Sequence, residues 1–147
     1  MSSLNRVLAI DFGTKRLGLA LSDPLLMSAQ AIEYILNDDH VMNNLKKIIE
    51  QYEVDHILLG LPKNQHGNDS EMATLVRQFA ETLAPLSCPI SYWDERFSTQ
   101  AVQKQLIQHD VSRKKRKEIK DSLSAAFFLQ GFLDRYNNQK NKTDITS

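Results

Sequence analysis

Apolar residues crowd into short runs at the start of the chain and spread into helical stripes further on. Arg6 to Phe12 is almost wholly apolar, the pattern of a central strand covered on both faces. Alternation puts Val7, Ala9 and Asp11 on one face and Leu8, Ile10 and Phe12 on the other. "GTK" has hairpin length, and Arg16 to Ser22, with Gly18 inside it, reads as the returning strand. "SDP" breaks the chain, and Ala31 to Leu36 reads as a third strand, so the first part is an antiparallel meander.

The rhythm then changes. Val41, Leu45, Ile48, Ile49 and Tyr52 share one helical face. "HILLGLP" (His56 to Pro62) is a buried strand ending in Gly60 and Pro62. Asn68 and Glu71 form a capping box, and the helix after it buries Met72, Leu75, Val76, Phe79 and Leu83 before Pro85. "PISYWDERFS" holds a strand from Ile90 to Asp94, with Tyr92 and Trp93 read as core strand residues, and then Ser98 as a helix N-cap. That helix runs to His109, a basic loop follows, and a last helix spans Lys117 to Tyr136. The polar tail, 137–147, is expected to be disordered, leaving one domain over 1–136. Strands alternating with helices after a meander predict an α/β fold, a mixed sheet with helices on both faces.

Composition narrows the function classes. The 147 residues are 41% hydrophobic and 24% charged, ordinary for a soluble globular protein. No run approaches bilayer length and no signal peptide pattern is present, so a membrane role is not expected. A single cysteine, Cys88, excludes an internal disulfide and a Cys-rich zinc site. Together these features predict a cytoplasmic protein. The net charge is zero, which excludes a polybasic binder as a whole, yet "RKKRKEIK" holds 6 of the 18 Lys and Arg residues. Any electrostatic footprint for phosphate is therefore local.

Three acids stand at element ends. Asp11 closes the first strand, Glu95 follows "ISYWD", and Asp121 lies in the first turns of the last helix, ahead of the stripe Ala125, Phe128 and Phe132. Parallel strands emit functional residues at their C-terminal ends, where Asp11 and Glu95 would both emerge. Clustered carboxylates repel unless a cation holds them, and oxygen ligands without His or Cys suit Mg²⁺ or Mn²⁺. Two such ions can activate a water and stabilise the leaving oxygen in phosphodiester hydrolysis. Each acid also has a plain structural use: a helix-start acid for Asp121, an ion-pair partner of Arg96 for Glu95, a turn cap for Asp11. "GLPKNQHG" (Gly60 to Gly67, with Pro62, Lys63 and Asn64) is either a substrate-facing loop or a plain connection. Arg16 and Arg96 can grip phosphate. Arg113, Lys114, Lys115, Arg116 and Lys117 would add salt-dependent affinity for nucleic acid without reading sequence. The four histidines show no metal-ligand spacing.

In order, "DFGTKRLGLALSD", "GLPKNQHG", "DERFSTQAV" and "SRKKRKEIKDSLSAAFFLQGFLD" resemble the successive signatures of the YqgF family. These are small bacterial proteins with a ribonuclease H-like fold, similar to the RuvC resolvases. They are described both as Holliday junction resolvases and as nucleases maturing the 5′ end of pre-16S ribosomal RNA. The resemblance runs from Arg6 to Tyr136, and four motifs in order are far more specific than one. It implies a five-stranded sheet of order 3-2-1-4-5 with the second strand antiparallel. It also implies Asp11, Glu95 and Asp121 as the acidic cluster; Gly13, Gly18, Gly60, Pro62 and Gly67 read, from the residues themselves, as structural and turn positions. Related enzymes often use a fourth acid. Asp94 and Glu118 are secondary candidates, although alternation should turn Asp94 away from Glu95 and Glu118 shares a helical face with Asp121. Where Phe12, Leu17 and Ser98 depart from the family pattern, apolar replaces apolar or hydroxyl replaces hydroxyl.

The leading expectation is a Mg²⁺- or Mn²⁺-dependent nuclease acting on structured RNA, a ribosomal RNA precursor above all, as a monomer or homodimer. The alternative within the same chemistry is a resolvase of branched DNA. Outside it stand a nucleotide-binding module, since "DFGTKR" also looks like the phosphate loop of actin-like ATPases, and a catalytically silent RNA-binding factor.

Overall fold

A computed structural model describes residues 4–63, 66, 70–95 and 113–146, with side chains in the last helix described for 122–139. Three antiparallel strands come first: β1 (Val7–Asp11), β2 (Arg16–Ser22) and β3 (Ala29–Leu36). Helix α1 (Val41–Tyr52) leads to β4 (His56–Leu61), α2 (Glu71–Thr82) and a 3₁₀ turn (Ala84–Leu86) to β5 (Ile90–Asp94), and α3 (Arg113–Thr146) ends the chain. The sheet order is β3-β2-β1-β4-β5, with β1, β4 and β5 parallel, as the resemblance implied.

β1 is central because both of its faces are covered. Leu8 and Ile10 join the core beneath α1 and α2, with Leu45, Val76 and Phe79. Val7 and Ala9 join the core beneath α3, with Ala125, Phe128, Leu129 and Leu133. Asp11 continues the second set, so alternation delivers its side chain to the face that α3 covers. Two close approaches seat α3. A Cβ on Gly131 would stand 2.7 Å from Trp93 Cζ2. Gln130 accepts from the Ala29 amide at 3.0 Å and donates to the Met27 carbonyl at 3.1 Å.

Several expectations need correction. α2 begins at Glu71 with Ser70 as N-cap, its hydroxyl accepting from the Ala73 amide at 3.2 Å. Ser70 lies next to the helix, so it caps where a box starting at Asn68 would begin too early. Asn68 itself lies outside the described residues. Met72 and Leu75 are 38% and 39% exposed, while Ala73, Val76, Phe79 and Ala80 are buried. The small alanines let the helix come close to the sheet, and the larger side chains flank the contact. Tyr92 is 41% exposed because β5 is an edge strand; only Trp93 is core. The basic run 113–117 forms the first turns of α3 rather than a loop. The helix also passes Tyr136 and continues to Thr146, through the segment expected to be disordered. Asn137, the first residue past Tyr136, donates to the Leu26 carbonyl at 2.9 Å. The Ser98–His109 helix lies outside the described residues. Among the described residues, no helix is long and apolar enough to cross a membrane.

Candidate active site

The C-terminal ends of β1, β4 and β5 come together at one end of the sheet. Asp11 ends β1, opposite Gly18 of β2 in the antiparallel register. Directly opposed residues of an antiparallel pair share a face. Gly18 therefore leaves the space beside Asp11 without a side chain, and the β2–β3 register shifts between Leu17 and Leu19. A groove of about 270 Å³ opens there, lined by Asp11, Gly13, Arg16 and Gly18 among others. The hairpin rim is held tightly. A Cβ on Gly13 would meet the Arg16 carbonyl oxygen at 2.5 Å, and Asn37 donates to the Gly13 carbonyl at 2.9 Å. The Arg16 guanidinium lies over the Tyr34 ring, 5.2 Å from its centroid.

Glu95 follows β5 directly and turns its carboxyl toward Asp11, with which it shares a side-chain hydrogen bond. A Cβ on Gly60 would stand 2.5 Å from Glu95 Oε1 and 2.8 Å from the Phe128 ring. Glycine at this position is thus a requirement of space: β4 must admit both a carboxylate and the α3 aromatic. Burial first, then the neighbouring Asp11 carboxylate and its hydrogen bond, and last the Asp94 charge, push the Glu95 carboxyl up to about 7. Two acids this close resist losing both protons.

Asp121 lies in α3, one residue before Ser122, and its side chain lies outside the described residues. Its backbone position is nonetheless closely bounded. The fully buried Ser122 hydroxyl accepts from the Leu19 amide at 3.0 Å. Leu19 neighbours Gly18, the partner of Asp11. This part of α3 therefore crosses the sheet beside the acid end of β1. The side chains of Arg113, Lys114, Lys115, Arg116, Lys117 and Glu118 are likewise outside the description, as are Asn64, Gly67 and Arg96.

The remaining candidates divide between two places. Pro62 closes the base of its loop, its carbonyl accepting from the Ser70 hydroxyl at 2.6 Å. Lys63 and Asp94 face a second groove, of about 310 Å³, along the outer edge of β5, not the groove beside Asp11. Among the described residues no group of three His, Cys, Asp or Glu side chains stands at metal-holding distance, so the described acid site is the Asp11–Glu95 pair. Sequence reasoning missed Ser122 and Asn37. A hydroxyl interrupting the buried stripe of the last helix is a readable signal for Ser122. Nothing local marks Asn37, which works through the hairpin fold.

Comparison with known proteins agrees with this geometry. The RuvX family, described as Holliday junction resolvase, matches residues 5–135. A Desulfitobacterium hafniense protein named "Putative pre-16S rRNA nuclease" is 42% identical over 137 residues, 92% of this chain and 96% of the relative. A protein of the same name from Desulforamulus reducens is 46% identical over 132 residues, 88% of this chain and 96% of the relative. By structure, Thermus thermophilus RuvC in complex with a Holliday junction substrate aligns with a TM-score of 0.59 at 14% identity, over 90% of this chain and 96% of that one. The fowlpox virus resolvase, in complex with Holliday junction DNA, aligns at 0.51 and 13%, over 89% and 98%. At such identities the solved structures speak to the fold alone, and it is the ribonuclease H-like fold of RuvC. With its family match spanning nearly the whole chain and its sheet order that of RuvC, the chain belongs to the RuvX family of nucleases, hydrolases of phosphodiester bonds.

Proposed function

We propose that this nuclease cuts structured RNA, specifically the precursor of 16S ribosomal RNA, with Asp11, Glu95 and Asp121 as its catalytic acids. The observation that carries the reading is the Asp11–Glu95 contact, with the Glu95 carboxyl pushed up to about 7. An acid pair held together against mutual repulsion is a site that a cation would relieve. The donor set fits Mg²⁺ or Mn²⁺, because it consists of carboxylate oxygens at the open end of the sheet. Asp11 and Glu95 would hold the ion, and Asp121 would join them from the turn of α3 that carries Ser122; the bond from the Leu19 amide to Ser122 supports this reading. When bound, such an ion would supply an activated water and offset charge on the leaving oxygen. The chain's own residues do the rest. Gly60 keeps the pair's approach open, Gly18 leaves the face beside Asp11 clear, and Arg16 stands at the groove rim where a substrate phosphate would pass.

The RNA assignment rests on the names of relatives at 42% and 46% identity. The family description favours a second reading, resolution of four-way DNA junctions. A resolvase of a two-fold junction is expected to act as a dimer. Purified protein with Mn²⁺ or Mg²⁺ should therefore be offered a ribosomal RNA precursor and a four-way DNA junction side by side. Preferential cleavage of the RNA, lost in Asp11→Asn with an unchanged melting curve, is the expected result. Full activity in Asp11→Asn would sink the acid-cluster mechanism, and preferential junction cleavage by a dimer would reverse the substrate assignment. In cells lacking the protein, precursor with an unprocessed 5′ end should accumulate, and Asp11→Asn should fail to restore processing.

A further inference from the structure

The groove along β5 is assigned nothing by the chemistry at Asp11, yet its composition is unusual. Lys63 after β4, Arg77 of α2 and Arg135 of α3 converge on it from three elements, with Tyr92, Trp93 and Asp94 of β5 as its floor. Among the described residues that line it, three are cationic and one is a carboxylate. The two arginines also lie over the aromatic rings of β5. Arg77 is 5.2 Å from the Tyr92 ring centroid, and Arg135 is 5.2 Å from that of Trp93. The rings differ in access, since Trp93 is buried and Tyr92 is 41% exposed. An exposed aromatic with one arginine over it, and a second arginine and a lysine nearby, is the equipment of a single-strand track: a flat face for a base and cations for the backbone. Position adds to composition. Leu61 and Asp94, which pair in the sheet and both line the groove, follow Gly60 and precede Glu95. The groove thus begins one residue from Glu95 on β5, and on β4 one residue from Gly60, which packs against Glu95.

We propose that this edge groove holds an unpaired strand of the substrate beside the cleavage site, with Tyr92 stacking on a base and Lys63, Arg77 and Arg135 contacting backbone phosphates. The proposal rests on the nuclease reading and extends it from the cut phosphate to the strand next to it. It predicts that the enzyme prefers a substrate with a single-stranded arm over a fully paired one. The groove residues are positioning residues, and their loss should raise KM well before it lowers kcat.

The test is binding of a short labelled single-stranded RNA, and of a blunt RNA duplex, in EDTA so that nothing is cut, followed by cleavage kinetics with Mn²⁺. Arg77→Gln/Arg135→Gln should weaken single-strand binding about tenfold and flatten the salt dependence by about 1.4 in log–log slope, two phosphates' worth. Tyr92→Ala should weaken it about fivefold or more, while Tyr92→Trp keeps it. Duplex binding should change little. Melting curves of all three variants identify any loss that is only unfolding, and Lys63→Gln, at the loop, offers a variant away from the packed elements. Wild-type affinity and slope in the folded variants, with cleavage by the wild type intact, would overturn the groove proposal and leave the nuclease reading standing. Absence of cleavage by the wild type on every substrate would instead overturn the nuclease reading itself.

Discussion

A methyl group at position 60 would collide with Glu95 Oε1 at 2.5 Å and with the Phe128 ring at 2.8 Å, and neither can retreat far. Phe128 is almost wholly buried and Glu95 is held to Asp11. Gly60→Ala should cost about 1–3 kcal/mol through overpacking and lower cleavage by roughly a hundredfold if Glu95 moves by an ångström. Urea melts with initial rates on the same preparation check both, and wild-type rates would mean that Glu95 does not depend on β4 for its position. The Glu95 carboxyl makes a second prediction. Its folded value, about 7, lies above the ordinary 4.5. Between those values the folded protein holds a proton that the unfolded chain releases, so stability falls as pH rises through this window. In EDTA the melting temperature should drop between pH 5 and pH 8, reflecting a loss of stability on the order of 1 kcal/mol once solvent screening is allowed for. Glu95→Gln should remove most of that slope, and Mg²⁺ or Mn²⁺ should restore stability more at pH 8 than at pH 6. A slope unchanged in Glu95→Gln would place the titrating group elsewhere.

Two serines show how differently an element can be anchored. Ser70 caps α2 with a partly exposed bond, and Ser70→Ala should cost about 1 kcal/mol with cleavage little changed. Ser122 is fully buried and satisfies the Leu19 amide of another element. Ser122→Ala leaves that amide without its partner, which costs about 1–3 kcal/mol, and lets α3 shift at the acid next to it. Cleavage should fall more than stability alone explains, as judged well below the melting temperature; equal effects of the two substitutions on rate would discount the anchoring of Asp121. At this scale the sequence was readable where the apolar pattern was continuous. β1, β4 and β5 lie within a residue of the expected limits; β1 and β4 are buried on two faces and have few polar positions to confuse their ends, and β5 is bounded by Pro89 and the acids Asp94 and Glu95. It misled where size competed with periodicity: Met72 and Leu75 outweigh Ala73 and Ala80 in any hydrophobic stripe, yet the alanines make the close contact. Tyr92 was misread because nothing local says which strand will be the edge. The Asp11–Glu95 pairing was anticipated from strand ends; the spatial demand on Gly60 was not, since it arises only when β4, β5 and α3 meet.

For the molecule as a whole, strand order came from resemblance and not from local pattern, because pairing between β1 and β4 joins segments far apart in the chain. The two cores divide the labour. One secures α1 and α2 beneath the sheet, and the other secures α3 above the acids. Phe128→Ala should cost about 3–5 kcal/mol and weaken the second core alone. Hydrogen exchange should then show α3 loosening before β1, and uniform loosening would mean that the two cores unfold as one.

The last helix reaches back to the first hairpin across long stretches of chain. Leu19 and Ser122 are 103 residues apart, Ala29 and Gln130 are 101 apart, and Leu26 and Asn137 are 111 apart. Synthesis runs from the N-terminus, so the hairpin bearing Asp11 emerges long before the helix that must cover its face. Contacts of such separation form late, after the cost of closing the loop has been met. A nascent chain therefore carries an unfinished acid site until the α3 segment has been made and has docked.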